Sequence, residues 1–238
     1  QSYQLFGLNS FAVADVTTVV VTSTLTSLAS ESLVNGGVKG VWNRRFAAIA
    51  VIFDEAGLAT GIRVTWTYDD YTSLQVLADA GITEDGSGQL SAEQRAKLDG
   101  FDSQWDPDWD GDTHARLDDK DLSLSGPQDW TVGYADGALS STHRRDFAQP
   151  LDLRDHVLGV ASYDPGYYVL YELSTAIDLV TPPPEGHCRA IYRPADTAQA
   201  KLDLEAKLRA MQGEAEAEFP AVGKSFAAEA WIICASGS

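Results

Sequence analysis

The sequence predicts an α+β fold, predominantly antiparallel β-sheet and sandwich-like, with two short inserted helices and one longer C-terminal helix. Three observations predict it. Ile62, Val64, Trp66 and Tyr68 alternate with Arg63, Thr65 and Thr67, the period-two signature of a half-buried strand. Asp136-Gly137 sits between β-rich runs as a hairpin turn. Ala200, Leu204, Leu208 and Met211 fall on one helical stripe near the C-terminus.

Taken in order, residues 1–40 form a Thr/Val-rich segment outside the main domain of residues 41–238. Val19-Val20-Val21 with Thr22, Thr24 and Thr26 predicts an extended strand, and Asn35-Gly36-Gly37 a turn. Residues 46–53 form an apolar strand, and Asp54-Glu55-Ala56-Gly57 turns it into the alternating strand. Asp69 or Asp70 caps a helix with Tyr71, Leu74, Leu77 and Ala78 on one face, ended by Gly81. Ser91 with Gln94 forms a capping box for a second short helix that stops at Gly100. From residue 122 to 173 the pattern is β: Trp130, Val132 and Tyr134 alternate, and 157–162 and 167–173 are strand-like. Pro182-Pro183-Pro184 is a stiff connector; Asp196 opens the longest helix, which ends by Gly213. Glu214, Glu216 and Glu218 form a solvated acidic stretch, and 227–234 is a closing strand.

A formal charge of −18 excludes nucleic acid and anionic membrane surfaces as partners, because such a field repels polyanions and favours cations and basic proteins. Cys188 and Cys234 have no CxxC spacing and read as one disulfide in an oxidising compartment, with two buried free thiols as the alternative. The chain opens on Gln1 with no basic region before an apolar core, the pattern left when a secretory signal has been removed. Residues 13–34, interrupted by Asp15 and Glu31, fall short of the ~18 apolar residues a spanning helix requires.

Two loops have cation-binding spacing. Residues 83–94 fit the frame of an EF-hand loop, with Asp85, Ser87 and Gln89 as polar positions and Leu90 directed inward; capping by Ser91 and Gln94 is the structural alternative. Asp106, Asp108 and Asp110 precede Gly111 in D-x-D-x-D-G spacing, with His114 following, although Leu117 occupies the place of the bidentate Glu. The alternative there is an acidic loop whose Trp105 and Trp109 plug the core. Tyr163, Tyr167 and Tyr168 around Asp164-Pro165-Gly166 are candidates for a pocket mouth or, alternatively, brace a tight turn. His114, His143, His156 and His187 share no HxH or HxxxH spacing, and no G-x-S-x-G, P-loop or G-x-G-x-x-G is present. Nothing pairs a nucleophile with a base.

Phe53-Asp54-Glu55-Ala56-Gly57, Arg63-Val64-Thr65-Trp66-Thr67-Tyr68-Asp69, Asp85-Gly86-Ser87-Gly88-Gln89-Leu90-Ser91, Phe101-Asp102, Trp105-Asp106-Pro107, Tyr163-Asp164-Pro165 with Tyr167-Tyr168, and both cysteines occur in that order. In this order they resemble the DUF1007 family of bacterial periplasmic proteins, over residues 50 to 234. The resemblance implies a periplasmic or otherwise extracytoplasmic, non-enzymatic accessory protein beside an inner-membrane transporter of the nickel/cobalt-efflux type, handling zinc or nickel. Relatives begin the mature chain with His-Pro-His; the matching places here are Gly40, Val41 and Trp42. A second expectation is a structural or assembly subunit, stabilised by calcium, whose N-terminal segment adds a strand to a partner's sheet.

Overall fold

A computed structural model describes residues 43–83, 85–103, 105–106, 109–181, 188–211 and 221–235. The expectations for residues 1–40, Asp108, the triple proline, His187, Gly213 and the glutamates of 214–218 lie outside the described residues.

β1 (Asn43–Phe53) and β2 (Ala59–Tyr68) make the first hairpin. The Asp54 carboxylate closes its turn by accepting the N–H groups of Ala56 and Leu58. Along β2 the predicted alternation holds: Ile62, Val64, Trp66 and Tyr68 are buried and Arg63 is exposed. α1 (Asp70–Asp79) starts at Asp69, whose side chain accepts from the Thr72 N–H, and Gly81 follows it in the left-handed region. Its buried face corrects the sequence reading. Ser73 and Leu77 point inward, whereas Tyr71 and Leu74 are 61% and 53% exposed. The reason is a polar anchor: Ser73 Oγ accepts the Leu139 N–H at 2.9 Å, and that bond fixes the rotation of the helix. α2 (Ala92–Leu98) carries the predicted Ser91–Gln94 capping box.

The chain continues through β3 (Thr113–Leu117), β4 (Lys120–Leu122), β5 (Gln128–Ala135), β6 (Ala138–Leu151), β7 (Val157–Ser162), β8 (Val169–Leu173), β9 (Asp178–Val180), β10 (Cys188–Arg193), α3 (Thr197–Ala210), α4 (Gly223–Phe226) and β11 (Glu229–Cys234). One sheet has the order β5-β6-β2-β1-β8, with β9 also on β1; the other has the order β10-β11-β7-β3-β4. The second sheet is wholly antiparallel. The first is mixed, because β8 and β9 both run parallel to β1, along its first and second halves. Four helices are therefore described where the sequence predicts three. The fourth, α4, is four residues long, shorter than one amphipathic repeat.

The inner faces of the two sheets pack as a sandwich: Ile49, Ile62, Val64 and Trp66 from one meet Leu158, Val160, Ala230 and Ile232 from the other in one core. A smaller cluster joins Ala200 and Leu204 of α3 to Val222 and Phe226, with Tyr167 against Phe226 at 5.0 Å. Cys188 and Cys234 are directly opposed in register on β10 and β11 and form a disulfide, which settles the alternative of free thiols. Among the described residues no helix is long and apolar enough to cross a membrane.

Candidate functional site

Pleating turns every second residue of β6 inward, so the polar run Ser140-Ser141-Thr142-His143-Arg144-Arg145 sends Ser141, His143 and Arg145 into the core. Trp66 and Trp105 lie beside His143, their ring centroids 4.8 and 5.2 Å from the imidazole, and Trp130 sits at 4.8 Å. The imidazole is 0% exposed, and neither of its nitrogens has a hydrogen-bond partner among the described residues. Burial, with Arg145 beside it, pushes its pKa down to about 3.

Across Trp66 lies Arg45, its guanidinium over the rings of Trp66, Tyr68 and Tyr171 at 5.0, 5.1 and 5.8 Å. Each phenol meets a carboxylate: Tyr68 donates to Asp102, and Tyr171 to Asp112 at 2.8 Å. Burial raises the pKa of both carboxyls above the ordinary range, against the hydrogen bonds that favour the charged form. Asp112 also accepts the Trp109 indole N–H, at 3.0 Å. These contacts fasten Asp102, Trp109 and Asp112 onto the sandwich. Gly111, in the left-handed region, passes directly under Trp105, where a Cβ would collide with the indole.

The segment so held delivers Asp110 and His114 to the surface. Arg145 donates to the Asp110 carbonyl and so fixes its backbone. His114 Nε2 lies 3.2 Å from the Tyr163 carbonyl oxygen, its ring stacks on Tyr163 at 3.8 Å, and Nδ1 is 3.3 Å from Asp110 Oδ2. A carbonyl only accepts, so that contact is a hydrogen bond when Nε2 carries the hydrogen. Nδ1 of the neutral ring then turns a lone pair toward a carboxylate, an arrangement stabilised by a proton or a metal cation between them. A backbone carbonyl holding the far N–H is the usual support of a metal-binding imidazole.

His114 and Tyr163, but not Asp110, line a cleft of about 380 Å³ together with Arg116, Asp119, Lys224 and Glu229. Arg116 grips Glu229 through two bonds of 2.6 and 2.8 Å. Burial would raise the pKa of Glu229, but the bonds from Arg116 and Trp231 hold it below the usual range. Tyr163 is shifted upward, first by burial and then by the charges of Asp121, Asp110 and Glu229, so its hydroxyl is a neutral donor in a negative field.

Of the residues singled out in the sequence, Asp110, His114 and Tyr163 come together. Asp106 turns the chain, its carbonyl accepting the Trp109 N–H. Asp164 accepts the N–H groups of Gly166, Tyr168 and Val169; Tyr167 belongs to the smaller cluster, and Tyr168 is 74% exposed. Asp164 thereby braces a turn. In the 83–94 loop Leu90 is buried as predicted, the Asp85 carboxylate accepts the Ser87 N–H, and Ser87 bonds the Gln89 backbone. Among the described residues no three His, Cys, Asp or Glu side chains converge on one point.

The sequence reading missed Arg116, Asp119, Lys224 and Glu229. The available signal was Gly159: it pairs with both Arg116 and Trp231, and a Cβ there would meet the Arg116–Glu229 pair.

A family profile described as "Protein of unknown function (DUF1007)" matches residues 46–234. No curated protein matches the chain. Among solved structures, acetylcholine-binding protein type 1 of Biomphalaria glabrata is similar at 8% identity and a TM-score of 0.37, covering 91% of this chain and 96% of that one. That similarity is too slight to bear on function.

Proposed function

The chain belongs to the DUF1007 family, and from that premise we propose that it is a non-catalytic, extracytoplasmic accessory of divalent metal transport that captures zinc or nickel at Asp110 and His114. The observation that carries this reading is the His114 arrangement, with Nε2 held by a carbonyl and Nδ1 3.3 Å from a carboxylate oxygen. Two donors ~2.1 Å from a tetrahedral ion lie about 3.4 Å apart, so the pair is spaced for one shared cation. Imidazole with carboxylate suits borderline ions such as zinc and nickel. A net charge of −18 concentrates cations, and the disulfide supports an oxidising compartment. Gly40, Val41 and Trp42 stand where the resemblance places His-Pro-His, which leaves capture to Asp110 and His114. The receiving partner is an inner-membrane transporter.

Calorimetric titration of zinc or nickel into chelator-treated full chain tests this. One site is expected, weakened at least tenfold by either His114→Ala or Asp110→Asn. Absence of heat, or affinity indifferent to both substitutions, overturns the reading.

The exposed Tyr71 and Leu74 on α1, a helix with no basic residue, favour a second reading, that of an assembly subunit. Under it, replacing both with serine releases a partner that co-purifies with the native protein. Its calcium-stabilised form requires added calcium to raise the Tm.

A further inference from the structure

Resting on the assembly reading, we propose that α1 is the docking element and that its occupant is a basic amphipathic helix of a partner protein, laid along Tyr71, Leu74 and Ala78.

The geometry begins with the rotation of the helix. Ser73 and Leu77 face the sandwich, and the Ser73 hydroxyl accepts the Leu139 N–H, so α1 is fixed with its far side turned out. Positions 71, 74 and 78 follow the i, i+3, i+7 rule and share that far side. All three are exposed, Tyr71 by 61% and Leu74 by 53%. Apolar area held in water by a polar anchor is area that a partner gains by covering.

Charge then selects the occupant. Asp70 lies on one flank of the stripe and Asp79 on the other, both exposed, and α1 has no Lys or Arg. A second copy laid antiparallel would set Asp70 against Asp79 and bring together two chains of charge −18, which repel. An anionic bilayer is repelled in the same way. A helix with leucine-like residues at i and i+3 or i+4, and Lys or Arg beside them, complements both the stripe and its flanks. The 10 residues of α1 offer such a partner about 15 Å of contact, roughly three turns.

Fluorescence anisotropy of the full chain tests this with labelled synthetic peptides, an amphipathic Leu/Lys helix and its Leu/Glu counterpart. The Leu/Lys helix is expected to bind at least tenfold more tightly than the Leu/Glu helix, and than a Leu/Lys peptide of the same composition in scrambled order. Tyr71→Ser with Leu74→Ser should weaken it at least tenfold. Asp70→Asn with Asp79→Asn should weaken it and flatten its dependence on salt. Leu202→Ser, at an exposed leucine of α3, should change nothing. Thermal melts confirm that each variant is folded.

Binding indifferent to the paired serines is diffuse attraction to an acidic protein and overturns the proposal. Where both amphipathic helices bind alike and the serines release both, charge does not choose the partner: this proposal falls and the assembly reading stands. A native dimer in sedimentation, or binding to phosphatidylcholine vesicles, that the serines abolish gives the face to a second copy or a bilayer and overturns it. Binding of neither helix overturns it too, and if the serines also release no co-purifying partner the assembly reading falls with it.

Discussion

His143 makes stability pH-dependent. Its folded pKa of about 3 lies below the ordinary value of 6.5, so the unfolded chain takes up a proton that the folded chain refuses. Its contribution is therefore complete above pH 6.5 and is lost as pH falls toward 3, by several kcal/mol at the limit. Asp102 and Asp112 act oppositely: their folded pKa values are raised, so their protonation favours the folded state as pH falls and this contribution disappears as pH rises. Urea unfolding of wild type and His143→Phe at pH 7 and pH 5 separates the two effects. The wild type should lose stability on acidification and the variant should lose less; identical losses would show that the imidazole titrates normally. At Gly111, alanine combines a left-handed backbone with a collision against Trp105 and should cost about 2–4 kcal/mol, with altered tryptophan fluorescence. The sequence shows the aspartates of 106–112 as one ligand-like run, yet Asp110 faces His114 while Asp112 faces Tyr171. Gly111 makes the left-handed turn the spacing calls for, but Asp112 follows it at positive φ as well and its carboxylate turns to Tyr171, which no composition argument reveals.

Elements were legible where apolar periodicity coincided with burial. β2, the Ser91 capping box and the Asp136-Gly137 hairpin all follow from residue type. β6 was legible as a strand through that hairpin, but its buried face was not, because its inward positions include Ser141, His143 and Arg145, and polar residues on a buried face erase the hydrophobic signal. The same physics hid the docking face of α1. Ser73→Ala should cost about 1–3 kcal/mol by stranding the buried Leu139 N–H, whereas Tyr71→Ser should change stability by less than about 0.5 kcal/mol. Chemical denaturation of both variants checks this, and the reverse order would restore the face read from apolar spacing. The cleft draws on β3, β7, α4 and β11, segments spread over more than a hundred residues of chain, so no local pattern could assemble it.

For the molecule as a whole, composition indicated the negative field and the cysteine count, and the register of β10 against β11 supplied the pairing. Replacing Cys188 and Cys234 with serine releases a closure spanning 46 residues and should lower stability by about 4 kcal/mol, seen as a lower Tm. An unchanged Tm would mean that the antiparallel pairing alone holds the last strand. The bridge also makes the stretch from β10 to β11, α3 and α4 included, a covalent ring closed through sulfur. A protease that severs one peptide bond inside that ring opens it without freeing a fragment. On a gel run without reductant the nicked chain remains a single species, and dithiothreitol then divides it in two.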